Sequence, residues 1–209
     1  MSARIDHGTT SGTFELDGGS WEVDNNVWVL GDDTECVVID APHDAAAIAA
    51  VVGDRQVRAI LLTHAHSDHV DAALDLRERV GAPLHLHPDE APVWELTHPD
   101  ARWDEDLADG QRIEVAGVTV EVLHTPGHAP GACCFHVPEL GVVFSGDTLF
   151  EGGPGATGRS FSDFDVIVES ITERLLTLPE DTTVYTGHGG TTTIGAEAPH
   201  RQEWIDRGH

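Results

Sequence analysis

The chain has 209 residues, with 11 Lys+Arg against 37 Asp+Glu and a formal net charge of −26 at pH 7; every cation is an arginine. A field of that sign repels phosphate backbones and anionic headgroups, which argues against nucleic-acid binding and against a basic membrane-docking surface. Hydrophobic content of 40% and charged content of 23% are ordinary for a globular chain, so the charge does not signal disorder.

Met1–His7 lacks the basic start and apolar run of a secretory signal, and no stretch approaches the ~18 apolar residues of a membrane span. With three cysteines, Cys36, Cys133 and Cys134, the expectation is reduced, partly buried thiols in a cytoplasmic protein. Cys133 and Cys134 are adjacent in a strand pattern, face opposite ways and should not pair. In chain order, β-rich runs occupy Thr13–Leu16, Asn26–Leu30 and Cys36–Asp40, divided by turns at Asp17-Gly18-Gly19 and Gly31-Asp32-Asp33. Alanine-rich Asp44–Val52 predicts a helix with Asp44 as its N-cap. Arg58–Leu62 reads as a buried strand, and Asp68–Val80 as a helix stopped by Gly81. Pro83–His87 predicts a strand and Glu90–Thr97 a short helix. Arg112–Val115 and Val118–Leu123 flank Ala116-Gly117 as a hairpin, and Ala132–Val137 pairs with Val142–Ser145. Phe164–Leu176 is amphipathic, Thr183–Tyr185 is a last strand, and Ala198–Arg207 a last helix. Two β-rich blocks, each closed by helices, predict two sheets packed face to face with helices outside.

Fourteen residues are histidine. His7, His43, His98, His200 and His209 have no partner pattern nearby and read as surface or satisfied core residues; His85, His87 and His136 read as structural. Thr63-His64-Ala65-His66-Ser67-Asp68-His69 differs, because it follows an apolar strand and opens a helix. Where the backbone changes direction, four metal-competent side chains can converge, in two pairs, on two neighbouring ions. Imidazole and carboxylate without thiolate suit Zn²⁺, Mn²⁺ or Fe²⁺ in a catalytic rather than a structural site. Three later elements can complete such a site: His128 in Thr125-Pro126-Gly127-His128, Asp147 in Ser145-Gly146-Asp147-Thr148, and His188 in Thr186-Gly187-His188-Gly189. A carboxylate at Asp147 could bridge two cations and offset their repulsion.

The order H-x-H-x-D-H, P-G-H, G-D-T, G-H-G resembles the metallo-β-lactamase-fold hydrolases from about Asn25 to Glu197, and most of all their single-domain glyoxalase-II-like branch. The resemblance implies an α+β fold, an αββα four-layer sandwich, over residues 1–209 as one domain. It implies one metal on His64, His66 and His128, a second on Asp68, His69 and His188, and Asp147 bridging both. Asp68 and Asp147 would then be the catalytic acids, with zinc the first choice of metal and iron or manganese the others. Asp71 stands where the family often has glycine, and Gly190 where it often has proline. The helical domain that binds glutathione in larger glyoxalase II enzymes is expected to be absent. Asp147 argues against a true β-lactamase, whose second-metal set lacks it.

The expected chemistry is attack on a thioester, of the S-lactoyl-thiol type, by a hydroxide shared between two cations. The departing thiolate, pKa ~8.5, needs no strong general acid. No G-x-S-x-G element supports serine chemistry. In the flexible loop Gly152–Phe161, Arg159 is the candidate for holding a polar or anionic substrate group, and Asp40 could orient a ligand histidine. A lysine-free chain is poorly equipped to clamp glutathione; a neutral sugar thiol such as mycothiol, or coenzyme A, is the other carrier. The competing functions are a persulfide dioxygenase with a single iron on His64, His128 and Asp147, a lactonase or phosphodiesterase on the same fold, and a non-enzymatic metal-binding protein.

Overall fold

The computed structural model describes residues 2–208, so His209 lies outside the described residues. Strands β1 (Arg4–Leu16), β2 (Gly19–Gly31), β3 (Glu35–Ile39), β4 (Gln56–Leu61), β5 (Leu84–Leu86) and β6 (Glu105–Asp106) lie side by side in that order. Then come β7 (Arg112–Val115), β8 (Val118–His124), β9 (Cys133–Val137) and β10 (Val142–Gly146). A small ribbon, β11 (Leu149–Phe150) and β12 (Gly153–Pro154), precedes β13 (Thr183–Thr186) and β14 (Thr192–Thr193). The second sheet has the order β14-β13-β10-β9-β8-β7. Both sheets are mixed, since β3–β4–β5–β6 and β10–β13 run parallel and the other pairs antiparallel.

Period-two alternation commits each strand to two cores. In β3, Val37 and Ile39 face the other sheet, while Cys36 and Val38 face the helices α1 (Ala45–Val52), α2 (Ser67–Val70), α3 (Ala73–Val80) and α4 (Ala91–Thr97). In β9, Cys133 and Phe135 face inward and Cys134 faces α5 (Phe164–Ser170), so the adjacent thiols do point opposite ways. Beyond it, α6 (Ile194–Glu197) and α7 (Arg201–Arg207) complete the outer layer, with Trp204 buried. Each Val, Leu or Ile so placed is worth about 1.5–3 kcal/mol, and a one-residue slip would exchange the faces of a whole strand. The αββα sandwich is therefore the fold. Among the described residues the three cysteines are free and buried, and no helix is long and apolar enough to cross a membrane.

Three expected elements are redrawn. The first hairpin is far longer than Thr13–Leu16 and Asn26–Leu30: β1 and β2 pair from Arg4↔Gly31 to Leu16↔Gly19. Its outer half alternates polar and half-exposed residues, which carry no hydrophobic run to betray a strand. The helix expected over Asp68–Val80 is broken at Asp71-Ala72, because the backbone of Ala41 bonds both His69 O and Ala72 N and turns the first coil toward the sheet ends. The helix expected over Phe164–Leu176 closes in a wider π turn, Ile171–Leu175. Asp44 caps α1 as expected, accepting from Ala46 N and Ala47 N, and Gly81 ends α3 in the left-handed region.

Candidate metal centre

The elements that end on one edge of the sandwich bring all seven expected donors together. His64 and His66 follow β4, Asp68 and His69 lie on α2, His128 follows β8, Asp147 follows β10 and His188 follows β13. His64 Nε2 and His128 Nε2 stand 3.1 and 3.0 Å from His66 Nδ1. His188 Nε2 stands 3.3 Å from His69 Nε2 and 3.2 Å from Asp68 Oδ2. Asp147 lies between the two groups, with Oδ1 3.4 Å from His69 Nε2 and Oδ2 3.4 Å from His188 Nε2 and 3.7 Å from His128 Nε2.

The far side of each ring decides which nitrogen faces the centre. His69 Nδ1 donates to Asp40 Oδ2 (2.9 Å), His128 Nδ1 to Ala156 O (2.8 Å) and His188 Nδ1 to Asp24 O (2.8 Å). Thr63 Oγ1 donates to Asp40 (2.9 Å) and so accepts from His64 Nδ1 (3.0 Å). Four rings thus turn Nε2 toward the centre, while His66 turns Nδ1. Three lone pairs converge near 3 Å in one group, and Asp147 Oδ1 is buried without a hydrogen-bond partner. Protons on these side chains cannot satisfy that geometry; cations can, and the donor set fits divalent metals of the zinc, iron or manganese type.

Asp40 occupies the place expected of it. It sits at φ +61°, a strained position for a non-glycine residue, and accepts from Thr63 N (2.7 Å), Thr63 Oγ1 and His69 Nδ1. Gly187 makes room at the centre, since a Cβ there would come within 2.2 Å of Asp147 Oδ1.

The two groups differ in charge. Burial drives His64 well below the ordinary histidine value, His66 down to about 3 and His128 down, with the neighbouring imidazoles adding to the effect at His64 and His66. In the other group burial is outweighed by carboxylates: Asp147 and Asp68 push His188 up to about 10, and Asp147, Asp68 and Asp40 hold His69 well above its usual value. Against their own burial, Asp68 is held down to about 2 by His69 and His188, and Asp147 lies well below the carboxylate range beside the same rings.

Several neighbours were not legible as site residues. Asn25, fully buried, donates through Nδ2 to Asp68 Oδ2 (3.1 Å). His43, expected to stand apart from the site, sits behind it: Nε2 donates to Asn25 Oδ1 (2.9 Å) and Nδ1 pairs with Asp71 Oδ2 (3.0 Å). Asp71 therefore bonds His43, through the backbone N and the ring of that residue, rather than the donor groups. His7, exposed, and His98, half-buried, are hydrogen-bonded to Asn26 Oδ1 and Val70 O, and His200 is exposed beside Glu203. The signal that could have found Asn25 is an asparagine pair, Asn25-Asn26, opening an apolar strand.

A cavity of about 210 Å³ opens onto His66, Asp68, His128, Asp147 and His188. Phe14, Val23 and Phe150 form its apolar wall, and Arg159 stands on its rim with Cζ 4.2 Å from the Trp21 ring and 5.3 Å from the Phe14 ring. Two larger hollows, about 570 and 600 Å³, lie along the β1–β2 hairpin and contain none of the seven donors.

The Metallo-beta-lactamase superfamily model matches residues 21–188. The probable metallo-hydrolase YqgX of Bacillus subtilis is 33% identical over 186 residues, 82% of this chain and 88% of the relative. The hydroxyacylglutathione hydrolase GloC of Haemophilus influenzae is 33% identical over 186 residues, 81% and 87% of the two chains. Among solved structures, the BLEG-1 B3 metallo-beta-lactamase (TM-score 0.76, 33% identity, 92% of this chain and 98% of that one) is similar. So are TTHA1623 in a di-iron-bound form (0.75, 33%, 90% and 96%) and ETHE1 from Myxococcus xanthus (0.75, 25%, 94% and 88%). The separation from β-lactamases expected from Asp147 is not mirrored in these likenesses, because BLEG-1 is as similar as TTHA1623. Fold, donor order and relatives agree: the chain belongs to the metallo-β-lactamase superfamily.

Proposed function

We propose that this protein is a dinuclear metal hydrolase that cleaves a thioester, of the S-lactoyl-thiol type. The observation that carries the reading is the pair of donor groups, His64/His66/His128 and Asp68/His69/His188, meeting at one shared carboxylate, Asp147. When bound, two divalent cations supply a water acidified toward neutral pH and a Lewis acid for the carbonyl. The residues of the chain set up the rest. Asp147 balances charge between the groups, and Asp68 Oδ2, kept ionised by His69 and His188 and oriented by Asn25, faces the cavity. Phe14, Val23 and Phe150 keep bulk water from the acyl group. A thiolate leaves without help from an acid.

Among the described residues Arg159 is the one arginine lining the cavity, and the hairpin beside it carries Glu15, Asp17, Glu22 and Asp24. That balance favours a carrier with at most one anionic group, such as a neutral hydroxylated thiol, over a doubly carboxylated or polyphosphorylated one. The test is thiol release from S-lactoyl thiols of several carriers by the zinc-loaded protein; turnover is expected, fastest with the least anionic carrier. Absence of release with every carrier overturns the reading.

A mononuclear iron dioxygenase on His64, His128 and Asp147 is the second reading, favoured by the likeness to ETHE1. About one iron per chain with persulfide-dependent oxygen uptake would select it. β-Lactam hydrolysis is assayed alongside, because of BLEG-1.

A further inference from the structure

We infer that Glu90 is a positioning residue for the His64/His66/His128 donor set: one buried carboxylate ties together the two loops that carry all three rings. The inference rests on the metal-centre reading above. Glu90 ends the single 3₁₀ turn before α4 and is fully buried. Its Oε2 accepts from Ala65 N (2.7 Å) and its Oε1 from Gly131 N (2.6 Å). Ala65 lies between His64 and His66, and Gly131 closes the loop that begins at His128. The two amides thus mark the two chain segments whose relative placement sets the 3.0 Å approach of His128 Nε2 to His66 Nδ1.

The packing leaves little slack. A Cβ on Gly131 would come within 2.9 Å of Glu90 N and of His87 Nδ1. An apolar residue in place of Glu90 would fill the space but strand two buried N–H groups with no acceptor. A simpler helix start would need no carboxylate, and taking one out of water is costly unless it is met by donors. The second donor set is held by other means, through Asp40 to His69, Asn25 to Asp68 and the Asp24 carbonyl to His188, so the effect of Glu90 is separable from it.

The test is a Zn²⁺ titration of the metal-free full chain against a chromophoric chelator, beside a melting curve. Glu90→Gln keeps the shape but turns an NH₂ toward one of the amides. It is expected to weaken one metal equivalent by on the order of 10-fold or more and leave the other within about twofold. With His188→Ala, which spares the three-histidine set, the E90Q loss persists; with His66→Ala it disappears. Should E90Q fail to fold, Gly131→Ala disturbs the same clasp from the opposite loop and is expected to give the same one-sided loss. A folded E90Q or G131A that binds both equivalents with wild-type affinity, or that weakens both equally, overturns the inference, even if its melting temperature falls. If the wild type binds a single equivalent the dinuclear reading fails, and the inference then stands or falls on whether E90Q weakens that one.

Discussion

The two donor groups of the centre are built from similar residues by opposite electrostatics. His64, His66 and His128 are crowded together away from water, and burial and mutual repulsion keep them neutral. His69 and His188 are interleaved with Asp68, Asp147 and Asp40, which hold protons on them. One group is thus a cradle of free lone pairs. The other is already filled with internal ion pairs that a cation must displace. Ligand identity alone would not reveal this; it follows from where each carboxylate lies.

The largest expected effect is on pH dependence. In the metal-free protein the three-histidine group has no protons to shed at neutral pH, whereas His188, near 10, and His69 hold theirs. Displacing two protons makes affinity rise about 100-fold per pH unit, so between pH 6 and 8 one equivalent tightens by up to roughly 10⁴-fold while the other changes little. Calorimetric titrations in buffers of different ionisation heat count the protons, and equal release from both equivalents breaks the comparison. The sign for stability follows. His188 is raised, so its contribution to the metal-free fold is fully present below pH ~6.5 and is lost as pH rises through about 10.

Asp147→Ala removes the carboxylate that both groups share. Turnover is expected to fall on the order of 10³-fold, with one of two metal equivalents lost by elemental analysis. Unchanged metal content would mean that Asp147 does not join the groups. Asp40→Asn is milder: it weakens the hold on the His69 ring and should cost the second group about 10–100-fold in affinity, with a smaller loss at the first group passed through Thr63 to His64. Arg159→Ala is the smallest and touches neither group. It should raise KM for a singly anionic acyl-thiol about threefold to tenfold, with kcat within about twofold and both equivalents retained.

How much of this was legible in the sequence depended on distance along the chain. His64 to His69 lie within six residues at a strand-to-helix turn, so their convergence is local and could be read. Asp40 was readable as a polar residue closing an apolar strand. The Asn25–His43–Asp71 chain and the Glu90 clasp were not, because each joins segments brought together only by sheet pairing and helix packing. The break at Asp71-Ala72 was hidden for the same reason, since helical periodicity carries no trace of the Ala41 backbone that interrupts it. The paired sheets were legible because alternation leaves two apolar faces on strands such as β3, and the outer half of β1 was not, because water covers it.

The cysteines have a chemical consequence. Burial raises all three thiols, Cys134 to about 11 and Cys133 well above its ordinary value, and each is almost wholly out of contact with water. An enzyme of the proposed kind discharges a free thiol at every turnover, beside its own polypeptide. With no accessible thiolate to offer, the protein is chemically mute toward its product: it cannot be captured as a mixed disulfide, and an oxidising pulse that couples small thiols together passes it by.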